Sequence, residues 1–220
     1  MIDLHTHTLF SDGELLPSEL VRRADIRGYS AIAITDHADA SNIDFIVPRI
    51  VKVAGELNAA GGIKVIPGIE LTHVPPSQIK GLIQEARRLG AKLVVVHGET
   101  PVEPVIPGTN RAAIESMADI IAHPGFIKEE DVVLAAKSGV YLEITARRGH
   151  NLTNGYVAKI AVKHGANMVL NSDSHAPSDL LDRDAARAVA LGAGLEEDDI
   201  KRLEKNANDI LQRVFKVNSK

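Results

Sequence analysis

Short apolar runs alternate with amphipathic stretches along almost the whole chain, and this rhythm limits its possible folds more than any other feature. The runs lie at 1–4, 31–34, 63–71, 92–96, 119–122, 140–144 and 168–171, and their length and Val/Ile/Leu content mark them as buried strands. Between them the spacing predicts helices at 17–28, 42–60, 77–90, 111–117, 128–138, 154–165 and 178–190. Gly28, Gly90 and Gly139 stand where C-caps belong, and an eighth helix closes the chain in "LEEDDIKRLEKNANDILQRVF". A strand followed by a helix cannot return as a hairpin, so successive strands are parallel and joined by right-handed crossovers.

Composition agrees with an α/β fold. Hydrophobic residues make up 45% of 220, enough to cover one core, while aromatics are only 3% and Trp is absent, so aliphatic residues fill the buried parallel strands. No Gly-rich phosphate fingerprint follows the first strand, and polar residues follow nearly every strand. A closed barrel with a functional mouth is expected, not an open sheet with one switch point. No linker or low-complexity tract divides residues 1–220, so one domain is expected. The segment "GETPVEPVIPGTNRA" at 98–112 is long for a connection, which marks a functional or disordered loop.

Charge and cysteine content narrow the chemistry. With 25 Lys+Arg against 29 Asp+Glu the net charge is −4, which predicts no stable nucleic-acid or anionic-membrane partner. There is no Cys, so any metal must be held by His, Asp or Glu. No secretory signal and no apolar run of spanning length is seen, so a cytoplasmic location is expected.

The residues at or just past each strand's C-terminal end are His5 and His7, His37 in "ITDH", Glu70 in "PGIE", His97 in "VVVHGE", His123 in "IIAHPG", and Asp173 with His175 in "NSDSH"; Asp12 joins from the first loop. One histidine so placed usually caps a helix or fills a loop. Six of the nine histidines, accompanied by three carboxylates, point instead to one metal-binding cavity. Alternate strand residues share a side, so His5-Thr6-His7 delivers two nitrogens to one centre, and Asp173-Ser174-His175 repeats the device on the last strand. Barrel closure makes the two pairs neighbours.

The ordered set "HTHTLFSDG", "ITDH", "PGIE", "VVHGE", "IIAHPG" and "NSDSHAP" resembles the PHP (polymerase and histidinol phosphatase) domain family, in the style of its small stand-alone histidinol-phosphatase-like members. The resemblance implies a distorted seven-stranded (βα)7 TIM-like barrel holding up to three divalent metals (Zn, Mn or Fe), which hydrolyses phosphate esters with a metal-activated hydroxide. It assigns His5, His7, Glu70 and Asp173 to a first metal. Glu70 bridges to a second held by His97 and His123, and Asp12, His37 and His175 hold a third.

Arg147 and Arg148, just past the sixth strand, are candidate phosphate contacts through their guanidinium forks, with solvated loop arginines as the alternative. His150 and Asn151 are lesser substrate candidates in the same loop. Glu143 is a candidate for orienting a ligand histidine. Glu99 and Glu103 are candidates for lining the mouth, whereas His73 and His164 read as structural or surface residues. The expected function is hydrolysis of a small phosphorylated metabolite, with histidinol phosphate suggested by the resemblance. The alternatives are a phosphodiesterase or nucleotide phosphatase of the same fold, and a non-catalytic metal-stabilised scaffold. Oligomeric state is not legible.

Overall fold

The apolar runs pair side by side in chain order. In the computed structural model, which describes residues 1–216, β1 (Ile2–Asp3), β2 (Ala31–Ile34), β4 (Lys64–Leu71), β5 (Leu93–His97), β6 (Ile120–Ala122), β7 (Tyr141–Thr145) and β8 (Met168–Asn171) form one parallel sheet in that order. β3 (His37–Ala38) continues the line of β2 and pairs with β4. The sheet curls into a nearly closed barrel: Thr6 and Ser174 form a parallel bridge, and His7 N–H donates to the Ser174 carbonyl at 2.9 Å. The expected seven-stranded α/β barrel is the observed fold, and the last four positions of the expected 1–220 unit lie outside the described residues.

The helices α1 (Pro17–Ile26), α2 (Ile43–Ala60), α3 (Pro76–Arg88), α4 (Thr109–Glu115), α5 (Glu129–Ser138), α6 (Asn154–His164) and α7 (Arg183–Gly192) follow successive strands, and α8 (Glu197–Lys216) ends the described chain. Strand residues facing outward, including Ile32, Ile34, Val94, Val96, Leu142 and Ile144, join the main core with the helices. Inward-facing Ala33, Ile66, Leu93, Val95, Ile120 and Val169 form a second cluster, completed by Ala207, Ile210 and Val214 of α8. α8 therefore plugs one end of the barrel. Asn206 Nδ2 donates to the Met168 carbonyl at 2.8 Å, and Arg213 Nη2 donates to Asp119 Oδ1 at 2.6 Å, anchoring the plug beside the starts of β8 and β6. The C-terminal ends of the strands are left to form the other end.

Boundaries differ from expectation where side chains intercept backbone groups. The first strand, expected over 1–4, pairs regularly only at Ile2–Asp3. Leu4 N–H donates to Asn171 Oδ1 at 2.9 Å, and the Asp3 carboxylate accepts from His5 N and Ser172 N at 3.2 Å. Ile2 and Leu4 pack with the inner cluster, so alternation slips just before His5. The helix expected at 178–190 begins at Arg183, because the Asp182 side chain caps it by accepting from Ala185 N at 2.8 Å. The expected loop at 98–112 gives up its last residues to α4, and a 3₁₀ turn, η1 (His150–Thr153), interrupts the loop after β7. No helix among the described residues is long and apolar enough to cross a membrane.

Candidate metal centre

Strand alternation delivers the polar set to the barrel mouth. The face that buries Leu93 and Val95 in the interior ends in His97, and the face carrying Ile66 ends in Glu70. His5, His7, Glu70, His97, His123 and Asp173 are all buried. His5 Nε2 lies 3.4 Å from Glu70 Oε2 and 3.7 Å from Asp173 Oδ1; His7 Nε2 lies 3.7 Å and 3.2 Å from the same two oxygens. His123 Nε2 faces Asp173 Oδ2 at 3.6 Å and Glu70 Oε1 at 3.9 Å. Towards the rim, Asp12 Oδ1 lies 3.3 Å from His175 Nε2 and 3.5 Å from His37 Nε2, while His37 Nδ1 is 2.7 Å from Glu70 Oε2. His5, His7, Asp12, His37, Glu70, His123, Asp173 and His175 thus meet in one place, and His97 joins them through His123, whose ring centroid is 4.4 Å from its own. Within it, ligand atoms of His5, His7 and Asp173 lie within 4.8 Å of one another, as do those of His7, Asp12, His37 and His175.

Several neighbouring groups hold this set in place. Glu143, fully buried, has Oε1 2.8 Å from His5 Nδ1 and accepts from Asn171 Nδ2 at 2.7 Å, while its Oε2 accepts from His123 N at 3.0 Å. Buried Asp36 accepts from Thr8 N at 2.7 Å, Thr8 Oγ1 at 2.8 Å and Ser11 Oγ at 2.8 Å, pinning the turn that carries Asp12. His123 (φ 28) and Asp173 (φ 52) occupy left-handed backbone that non-glycine residues avoid, a cost tolerated where function fixes the direction of a side chain. Two glycines make room for the mouth. A Cβ on Gly98 would stand 2.2 Å from the Ala122 carbonyl, and one on Gly125, itself at φ +65, would stand 1.8 Å from that of Glu99.

Electrostatics divide the histidines into two kinds. Burial works against a charge on His5, but Glu143, Asp173 and Glu70 outweigh it and raise its pKa well above the usual value. Burial and the neighbouring histidines lower His7 and His123 well below theirs, leaving neutral rings. Burial alone would raise Glu70, yet His5 and His37 hold it well below the carboxylate range; Asp173 is pushed up to about 7 by burial. His5 Nε2, both nitrogens of His7, His123 Nδ1 and Glu70 Oε1 are buried without hydrogen-bond partners. Unsatisfied buried atoms on this scale are costly unless another partner takes them up. Imidazole nitrogen and carboxylate oxygen without sulfur is a donor set suited to Zn²⁺, Mn²⁺ or Fe²⁺, and the residues fit divalent cations.

The remaining candidates have different fates. Arg147 sits half-buried with Nη1 3.3 Å from Asp179 Oδ2, the same oxygen that accepts from His175 N at 3.0 Å and Ala176 N at 2.9 Å. It therefore supports the His175 segment. Arg148 is exposed. Glu99 turns away from the histidines: Oε1 accepts from Gly108 N at 3.0 Å and Asn110 N at 2.9 Å at the start of α4. His150 is buried beside His97 and His123 and joins them as possible ligands. Glu103 reaches His97, His150 and also His73, which lies at the surface as expected. Asp36 was missed as well, although its place in "ITDH" between a strand and a site histidine is the signal that could have found it.

Comparison with known proteins places this mouth in a family. The PHP domain model matches residues 3–156. The chain belongs to the PHP domain family. Asp173 and His175 lie beyond the matched stretch of the PHP domain, and β8 returns them to it. Among relatives, an uncharacterized protein of Methanocaldococcus jannaschii is 49% identical over 215 residues, covering 96% of this chain and 99% of that protein. Ribonuclease P protein component 3 of Methanosarcina barkeri is 30% identical over 204 residues, covering 86% and 79%. A probable phosphatase of Thermoanaerobacter sp. is 29% identical over 227 residues, covering 90% and 88%. Among solved structures, a chain in the cryo-EM structure of archaeal ribonuclease P with mature tRNA superposes with TM-score 0.77 at 17% identity, covering 100% of this chain and 94% of that one. Histidinol phosphate phosphatase from Lactococcus lactis, complexed with Zn, L-histidinol and phosphate, superposes with TM-score 0.64 at 18% identity, covering 89% and 94%. The expectation that this PHP protein lacks a nucleic-acid partner gains no support from relatives of the ribonuclease P kind.

Proposed function

We propose that the chain is a metal-dependent phosphoesterase, acting as one unit on the phosphate monoester of a small metabolite, for which histidinol phosphate is the first substrate to test. The observation that supports this most is the convergence of all nine imidazole and carboxylate groups, with buried nitrogens left without partners. His5, His7, Glu70 and Asp173 would hold one cation, Glu70, His97 and His123 a second, and Asp12, His37 and His175 a third. Bound divalent cations supply positive charge that polarises a phosphate ester and lowers the pKa of water. The chain's own residues do the rest. Glu143 fixes the ring of His5, Asp36 fixes the Asp12 turn, and the neutral rings of His7 and His123 present lone pairs without first losing a proton. Arg147 lies beside the His175 segment, where its guanidinium fork suits a phosphate at the rim.

The test is a phosphate-release screen with Mn²⁺ or Zn²⁺ against histidinol phosphate, nucleotide monophosphates and a bis-aryl phosphodiester. Hydrolysis of a monoester that disappears on chelation supports the reading, and preference for the diester moves the chain to phosphodiester chemistry. A second reading, a protein component of an RNA-processing particle, is favoured by the 30% identity to ribonuclease P protein component 3. Tight, salt-dependent binding of structured RNA together with inactivity on every ester would select it.

A further inference from the structure

Beyond the nine-residue set, a second group of chemistry-bearing side chains gathers at the rim. Glu103 comes from the loop between β5 and α4, and its carboxylate spans two imidazoles: Oε2 is 3.2 Å from His97 Nε2, and Oε1 is 3.3 Å from His150 Nε2. His73, on left-handed backbone after β4 (φ 53), holds Oε2 from outside at 2.9 Å. His150 is only 8% exposed and its Nδ1 has no hydrogen-bond partner. Ligand atoms of His97, His123 and His150 lie within 4.8 Å of one another, and so do those of His73, His97 and Glu103. These side chains come from separate segments of the fold, so their meeting is not a local sequence accident.

Building on the metal-centre reading above, we propose that His150 and Glu103 are additional ligands of the cation shared by His97 and His123, and that this cation latches the 98–108 loop onto the barrel mouth. The PHP resemblance supplies that position with Glu70, His97 and His123; Glu103 and His150 add a carboxylate and a third imidazole. His73 orients the Glu103 carboxylate, as groups behind a ligand commonly do.

The test uses the full-length chain stripped of metal and titrated with Zn²⁺ against a chromophoric chelator, comparing wild type with Glu103→Gln, His150→Ala and His164→Ala as a distant control. One zinc equivalent is expected to bind at least ~10-fold more weakly in both rim variants, the magnitude associated with losing even a supporting residue, with the other equivalents and the control unchanged. In the same samples, Zn²⁺ should slow amide exchange across residues 99–106 in wild type and fail to do so in Glu103→Gln. The Glu103 change leaves the packed barrel untouched, so the result does not depend on how well His150→Ala folds. Wild-type zinc binding with rim variants indistinguishable in affinity and loop exchange overturns the latch alone. A wild-type chain that binds neither Zn²⁺ nor, in a parallel titration, Mn²⁺ or Fe²⁺ overturns the metal-centre reading and the latch together.

Discussion

Glu143 Oε1 stands 2.8 Å from His5 Nδ1 inside the barrel, with neither side chain exposed to solvent. The contact directs the other nitrogen, Nε2, towards Glu70 and Asp173. It makes Glu143 the support on which the deepest part of the centre depends, because the same carboxylate also takes Asn171 Nδ2 and His123 N. Glu143→Gln keeps the shape and removes the charge. Metal affinity should fall about 10–100-fold, as for other carboxylates behind ligand histidines, and calorimetric titration with Zn²⁺ measures it. Wild-type affinity would show that His5 needs no such support.

Asp36 is the corresponding support for Asp12. Asp36→Ala leaves the buried Thr8 N and the half-buried Ser11 hydroxyl without their acceptor. The expected loss is about 3 kcal/mol of folding stability, from unsatisfied donors and lost charged hydrogen bonds, read by urea denaturation. Loss of one metal equivalent should accompany it. A stable variant with full metal content would remove Asp36 from the account of the site.

Gly125 has no room for a side chain. Gly125→Ala drives a Cβ into the Glu99 carbonyl and places alanine at φ +65. Destabilisation of about 3 kcal/mol or more is expected from the strained backbone and the clash, visible as a lowered Tm. An unchanged Tm would mean that the Glu99 and Gly125 segments can part without consequence.

Protons compete with cations for the centre. In the metal-free chain burial opposes a charge on His5, but Glu143, Asp173 and Glu70 more than offset it, so its pKa is raised and it holds a proton near neutral pH. A cation can take the Nε2 lone pair only when that proton leaves, so binding releases protons and affinity rises with pH. Titration calorimetry at pH 7 in buffers of differing ionisation enthalpy should show buffer-dependent heats corresponding to net proton release. Heats independent of buffer would contradict this protonation pattern.

Much of the fold was legible because continuous apolar runs mark strands buried on both faces, and helical patterning marks the stretches between them. The apolar runs at 31–34, 92–96 and 168–171 reappear as β2, β5 and β8 within about a residue. What was hidden depended on side chains reaching across the barrel. β1 stops at Asp3 because Asn171 and Asp3 themselves intercept backbone N–H groups from segments more than 160 positions apart. The convergence of His5, His7, Glu70 and Asp173 could be anticipated because each lies at or just past the C-terminal end of a strand, and a barrel gathers strand ends at one face. Glu103 could be expected to line the mouth, but its place between His97 and His150 is set by loop geometry, and the arrival of His73 against it depends on left-handed backbone that the sequence does not announce. Glu99 shows the converse: a carboxylate in the same loop, equally polar in sequence, is spent on the start of α4.

The central claim is that these groups share several divalent cations, and elemental analysis of the full-length chain after loading with Mn²⁺ or Zn²⁺ and removal of excess metal tests it most directly. Two to three equivalents are expected in wild type, falling by at least one in Asp173→Asn, whose side chain keeps the shape and tolerates the left-handed backbone at this position. A wild-type chain that retains no divalent ion under any loading condition would contradict it.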